Sequence, residues 1–185
     1  DNTFVVGIHG NFDDAQTGVK KIFSDKELAK EMDEKGFQFS SANSINIGRL
    51  VPQIVYYVYA YAHLLAEEKI ADGEAINVVV PTGNFGNILA AFYAKNMGLP
   101  IRKLICASND NKVLYDFFST GTYDRNRDFV LTTSPSMDIL ISSNLERLIY
   151  RIAGNDADKN AELMAALSGN GKYDITAEMK DKLSK

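Results

Sequence analysis

The sequence predicts an α/β fold, a parallel sheet with helices on both faces, and three observations carry that expectation. The apolar run of residues 76–80 is followed by Pro81-Thr82-Gly83-Asn84-Phe85-Gly86-Asn87 and then by an apolar stretch of helical spacing, which reads as strand, glycine turn, helix. A second apolar run, residues 101–107, follows Gly98-Leu99-Pro100 and leads to another helical segment. Strands that alternate with helices in this way pair in parallel and carry the helices on their faces.

The elements follow in order. Residues 4–8 read as a short buried strand, and residues 9–14 as a turn into a helix over about 15–23. Ser24 with Glu27 makes a capping-box pair that would start a second helix, ending at Gly36. Its alternating charges over 26–35 describe a solvated face. After the irregular residues 37–43, a long helix is expected to about residue 69, with Pro52 introducing a kink or a later start. Beyond the strand and helix units, Asn109 or Asp110 would cap a helix through 119, residues 129–133 could form a strand, and Ser143 or Asn144 would cap a helix through 153. Two further helices are expected over 156–167 and 176–183. Composition changes near residues 36–40, so the domain boundary is placed there: residues 1–38 as the remnant of a smaller domain, 39–185 as part of a larger one.

Composition narrows the function. With 185 residues, 45% of them hydrophobic, and a net charge of −4 without any basic block, the chain suits small-molecule partners and lacks a nucleic-acid footprint. No apolar run approaches the ~20 residues that span a bilayer, and the chain reads as cytoplasmic. Cys106 is the sole cysteine and lies in an apolar run, which suits a structural thiol. His9 and His63 have no partners at metal-ligand spacing, so no metal site is expected. Asp13 and Asp14 precede a helix, where capping explains them better than acid-base work. The tyrosines at 56, 57, 59 and 61 spread around a helix and read as packing.

Two segments carry candidate chemistry. The turn Gly83-Asn84-Phe85-Gly86-Asn87 brings unpaired backbone N–H groups to a helix N-terminus, which suits phosphate. It lacks the lysine and hydroxyl of a Walker loop and the three-glycine pattern of a dinucleotide fold. A plain strand-to-helix joint remains open for it. The second segment, Ser41-Ala42-Asn43-Ser44-Ile45-Asn46, masses more hydroxyls and amides before a helix than capping needs. Arg49 follows, where it could meet an anionic substrate or form a surface ion pair.

Taken in order, Gly7 with Gly10-Asn11-Phe12-Asp13-Asp14, the Ser41 to Asn46 segment with Arg49, and the Pro81 to Asn87 turn resemble the threonine synthases. The similarity continues through Gly98-Leu99-Pro100, Ala107-Ser108-Asn109 and Ser136-Met137-Asp138, to about residue 150. The resemblance implies a type II pyridoxal-phosphate enzyme fold, the tryptophan-synthase-β group, and conversion of O-phospho-L-homoserine and water to L-threonine and phosphate. It also implies that Gly83, Asn84, Phe85, Gly86 and Asn87 hold the cofactor phosphate, with Phe85 packing, and that Ser41, Asn43, Ser44 and Arg49 lie near substrate. In that family the cofactor acts as an electron sink, and the lysine that forms the Schiff base lies upstream in a Phe-Lys segment. A hydroxyl that faces the pyridine nitrogen lies downstream. Neither context occurs here, so the chain is expected to be a central fragment that holds no catalytic residue and is inactive alone. A threonine dehydratase or cysteine synthase, or a non-catalytic phosphate-binding module, are the alternatives, and the Ser-Ala-Asn-Ser-Ile-Asn segment argues against the first two.

Overall fold

The computed structural model describes residues 2–183. It divides into two compact units, one within the first 41 residues and one from Ala42 onward. The first unit is helical. Residues 4–8 are not the expected strand: they are extended without pairing, and Phe4, Val5 and Val6 are exposed. A strand needs both a hydrogen-bonded neighbour and a face to bury, and the described residues of this unit contain no strand to pair with.

Helix α1 (Phe12–Ser24) begins earlier than expected because Asn11 and Asp14 form a capping box. The Asn11 side chain accepts from Asp14 N at 3.1 Å, and the Asp14 carboxylate accepts from Asn11 N at 2.9 Å. Helix α2 (Lys26–Glu34) is capped by Asp25, which accepts from Leu28 N at 2.9 Å. Ser24, the expected cap, is still inside α1 and donates its hydroxyl to Lys20 O at 2.8 Å. The helix stops at Gly36, whose φ of +79° places it in the left-handed region. Phe23 and Phe39 stack with ring centroids 5.9 Å apart.

In the second unit the expected long helix is broken in two by Pro52. Helix α3 (Ile47–Leu50) passes through one tight turn, Val51–Gln53, into α4 (Ile54–Ala66). Proline has no N–H to continue the ladder and clashes with the preceding turn. Strand β1 (Ile76–Pro81), helix α5 (Gly86–Asn96) and strand β2 (Ile101–Ala107) then form the expected parallel βαβ unit, with Val78 opposite Leu104 and Val80 opposite Cys106. The chain is thus mixed α/β with a parallel sheet. Val78, Val80, Leu104 and Cys106 meet the core, while Val79, one residue out of phase, is 62% exposed. Leu89, Ala90, Ala91 and Ala94 are fully enclosed, and their small size lets α5 lie close to the strands.

The remainder wraps that unit: α6 (Val113–Thr120), β3 (Thr122–Asp124), α7 (Leu145–Ile152), α8 (Ala157–Asn170), β4 (Lys172–Asp174) and α9 (Ala177–Leu183). Strands β3 and β4 pair antiparallel with Tyr123 opposite Tyr173, whose rings stack 5.4 Å apart against Phe117. These strands are only three residues each, too short to show a period. Asp156 caps α8, accepting from Lys159 N at 2.9 Å. No helix among the described residues is long and apolar enough to cross a membrane.

The strand expected at 129–133 does not form, because a side chain takes the place of its partner. Asn111 donates Nδ2 to Val130 O at 2.7 Å and accepts from Val130 N at 3.0 Å. Helix α6 correspondingly begins at Val113 rather than after Asn109. The Asn109 side chain is occupied: its Oδ1 accepts from Asn111 N at 3.0 Å and its Nδ2 donates to Asp138 at 2.7 Å. Buried Asp138 collects four donors, from Thr132 N, Thr132 Oγ1, Asn109 Nδ2 and Asn111 Nδ2, and so pins the loop that precedes the single tight turn Pro135–Met137. The Thr132 backbone N–H foremost, with the three side-chain donors, holds its carboxyl below the usual carboxylate range. A depressed folded-state pKa stabilises the fold above the unfolded value, and that contribution is lost as pH falls through the folded one. Asp138→Asn should therefore lower the urea midpoint at pH 7, and the gap to wild type should close as the pH is taken below the carboxylate range. Urea melts across that range read the difference directly.

Candidate functional site

A cavity of about 510 Å³ opens where β1 ends. Its walls are the turn between β1 and α5, Ser44, Gln53 and Tyr57 from the α3 and α4 side, the outward side chain of Val79, and Met137. The turn is anchored at Thr82, whose backbone N and Oγ1 both donate to Ala107 O, at 2.8 and 2.6 Å. Gly83 then takes φ +43° and Phe85 φ +64°. The left-handed region costs a residue with a Cβ about 1–2 kcal/mol. Phe85 holds it because the ring is buried, 6.2 Å from that of Phe118, and its own N–H reaches Thr82 O at 3.1 Å. It packs rather than lines up as a donor.

The remaining amides of the turn are arranged differently. The N–H groups of Gly83, Asn84, Gly86, Asn87 and Ile88 have no acceptor among the described residues. They gather at the N-terminus of an eleven-residue helix, where the dipole adds partial positive charge. Such a donor set suits an anion with several oxygens, and a phosphate group fits it without a neighbouring cation.

Gly86 is a glycine for lack of space, not for its φ. A Cβ there would stand 2.3 Å from Ser44 Oγ, 2.6 Å from Ser44 Cβ and 3.2 Å from Asn144 Nδ2. Only the missing side chain lets the Ser44 hydroxyl lie against the start of α5.

The two asparagines of the turn do separate things. Asn84 faces its neighbours: Oδ1 accepts from Ser143 N at 2.7 Å, and Nδ2 is 3.5 Å from Asn43 Oδ1. Asn87 is held by Tyr57, whose hydroxyl donates to Asn87 O at 2.9 Å and also contacts Asn87 Oδ1. Burial pushes the Tyr57 phenol up to about 12, so it stays protonated and keeps donating at neutral pH.

The residues of the earlier polar segment part company. Ser44 lines the cavity. Asn43 braces it from behind, its Oδ1 also accepting from Ile45 N at 3.1 Å. Ser41 belongs to the first unit. Arg49 does not line the cavity, and its Nε donates to Ala42 O at 3.1 Å. Cys106 fits its structural reading, since burial pushes the thiol up to about 11 and keeps it uncharged. No cluster of potential metal ligands occurs among the described residues.

Sequence reading missed Asn144, Arg147 and Ser142. Asn144 is fully buried and donates Nδ2 to Ser44 Oγ and to Asn84 O, both at 3.0 Å. Arg147 donates NH2 to Ile45 O at 2.7 Å and NH1 to Ser44 O at 3.3 Å, and NH1 contacts Asn144 Oδ1. Ser142 Oγ donates to Gly83 O at 3.0 Å. Their partners in the turn and the polar segment are 59 to 103 residues away in sequence, so no local pattern marks them. The one available signal was Asn144 itself, a cap candidate that makes no cap bond.

The chain matches no protein-family model. It is 49% identical over 185 residues to the protein named threonine synthase-like 1 of Homo sapiens, covering 99% of this chain and 25% of that relative. To the threonine synthase of Pseudomonas aeruginosa it is 41% identical over 175 residues, covering 95% of this chain and 35% of that enzyme. The crystal structure of pyridoxal-phosphate-bound threonine synthase from Brucella melitensis superposes with a TM-score of 0.78 at 41% identity, over 96% of this chain and 36% of that one. The yeast enzyme gives 0.76 at 36% identity, over 95% and 34%. In sequence and fold the chain belongs to the threonine synthase family, as a segment that spans about a quarter to a third of the length of the relatives it matches.

Proposed function

We propose that the turn from Gly83 to Ile88 holds the phosphate of pyridoxal 5'-phosphate, and that the full-length protein converts O-phospho-L-homoserine and water to L-threonine and phosphate. The observation that carries the reading is the set of five turn amides without an acceptor among the described residues, at the mouth of a cavity beside a helix N-terminus. That donor set matches the size and charge of a phosphate monoester, and the Brucella relative is described as bound to this cofactor.

When bound, pyridoxal phosphate supplies an electron sink for breaking bonds at the substrate's α-carbon. This chain's part is to bind and to orient. The amides of Gly83, Asn84, Gly86, Asn87 and Ile88 would grip the phosphate, and Tyr57 fixes the turn through Asn87. Val79 and Met137 give the cavity an apolar wall. Of the polar segment, Ser44 stands at the cavity in this reading, Asn43 braces it, and the exposed Arg49 has the weakest claim.

No lysine among the described residues lines the cavity. The base that takes the substrate's proton is thus proposed to come from elsewhere in the full-length protein, with residues 1–38 part of the smaller domain and 39–185 part of the larger. On this proposal the 185 residues are inactive by themselves. Incubated with cofactor and O-phospho-L-homoserine they should release neither threonine nor phosphate, and sustained turnover in a phosphate-release assay would contradict the assignment. In the full-length protein, Gly86→Asp should weaken cofactor binding by about tenfold to a hundredfold, the worth of one or two hydrogen bonds to a charged group. It sets a side chain where Ser44 stands and a negative charge beside the phosphate. Absorbance titration of the folded variant checks this. Assay of the full-length protein on phosphohomoserine, serine and threonine separates a synthase from a dehydratase, a cysteine synthase or a non-catalytic binder.

A further inference from the structure

The Ser44 hydroxyl sits among groups that leave it one way to donate. Its neighbour Asn144 is fully buried, and the orientation of that amide is dictated by what surrounds it. The Nδ2 edge meets the carbonyl oxygen of Asn84 at 3.0 Å, which can only accept. The Oδ1 edge meets the guanidinium of Arg147, which can only donate. Reversing the amide would set oxygen against oxygen and nitrogen against nitrogen, in a site that water does not reach. Asn144 must therefore donate Nδ2 to Ser44 Oγ, at 3.0 Å, and Ser44 must accept. Its own O–H proton has no acceptor among the described residues, and Ser44 lines the cavity.

The clamp extends to the backbone. Arg147 donates to the carbonyls of Ser44 and Ile45, so the cation that orients Asn144 also fixes the segment that carries the hydroxyl. The absent side chain at Gly86 lets Ser44 Oγ lie against the first turn of α5, beside the amides without acceptors. A hydroxyl that already accepts one hydrogen bond is polarised toward donating another.

We propose that Asn144, oriented by Arg147, is a positioning residue that aims the Ser44 proton into the cavity, where it adds a side-chain donor to the backbone amides that hold a phosphate monoester. The proposal rests on the reading of the turn as a phosphate cradle. Asn144 acts through Ser44 and touches no ligand itself.

A double-mutant cycle on the full-length protein tests this, with dissociation constants for pyridoxal phosphate and for pyridoxal, its phosphate-free counterpart. Asn144→Ala should weaken pyridoxal phosphate about tenfold, the worth of one hydrogen bond to a charged group. Its effect on pyridoxal should stay within about twofold. In a Ser44→Ala background the same change should add less than about twofold for either ligand. Arg147→Lys keeps the charge but loses the fork, and should show the same dependence on Ser44 with a loss of about threefold. It carries the test if Asn144→Ala does not fold. Equal losses with and without the Ser44 hydroxyl would overturn the proposal, since they would mean that Asn144 only supports the fold. A wild-type protein that binds pyridoxal as tightly as pyridoxal phosphate would instead overturn the cradle reading itself.

Discussion

Ser44 and the start of α5 occupy space that cannot hold one more carbon atom. A Cβ at position 86 would fall 2.6 Å from Ser44 Cβ, well inside contact distance. Because that carbon is missing, the segment before α3 can lie directly on the helix N-terminus, and most of the polar architecture follows from this approach. Asn144 bridges Ser44 to the Asn84 carbonyl, Arg147 grips the successive carbonyls of Ser44 and Ile45, and Ser142 secures Gly83. Two distant stretches of sequence thereby converge on one turn, and each leaves the outward amides of that turn untouched.

The apolar core makes the approach durable. α5 presents Ile88, Leu89, Ala90, Ala91 and Ala94 to the interior, so its N-terminus cannot drift from the strand that feeds it. The left-handed Phe85 backbone is held against its intrinsic preference by a buried ring, and Thr82 is tied to β2 through Ala107. Strain at the joint and rigidity around it go together, which is how a fixed fan of donors is maintained without a ligand to organise it. On the far side, the loop carrying Met137 is pinned by buried Asp138, so the apolar wall of the cavity is fixed by a polar network rather than by a strand.

The parts of this arrangement that are local were legible in the sequence. The run from Ile76 to Asn96 declares a strand, a glycine turn and a helix, and the amide donors follow from that order alone. Pro52 declared the break between α3 and α4, and Gly36 and Gly98 the ends of their helices. What was not legible depended on a side chain doing the work of backbone. Residues 129–133 have the composition of a strand, yet Asn111 satisfies Val130 in both directions. Ser24 and Asn109 look like caps, and each spends its side chain elsewhere. Asn144 looks like a cap and is the central bridge of the site. Arg49 reads in sequence as either a substrate contact or a surface ion pair and donates to Ala42 O, while the guanidinium that orders the polar segment is Arg147, about a hundred residues later. Residues 4–8 have strand composition, but pairing is a property of two segments and cannot be read from one.

The central claim is that the five amides from Gly83 to Ile88 are the phosphate-binding surface. Amide proton and nitrogen shifts of selectively labelled full-length protein, followed as pyridoxal phosphate is added, test it most directly, because an amide that forms a hydrogen bond to an anion moves downfield. The account predicts saturable downfield movement of Gly83, Asn84, Gly86, Asn87 and Ile88, with the Phe85 amide, already bonded to Thr82, moving least. Saturable binding of the cofactor that leaves those five resonances in place would contradict it.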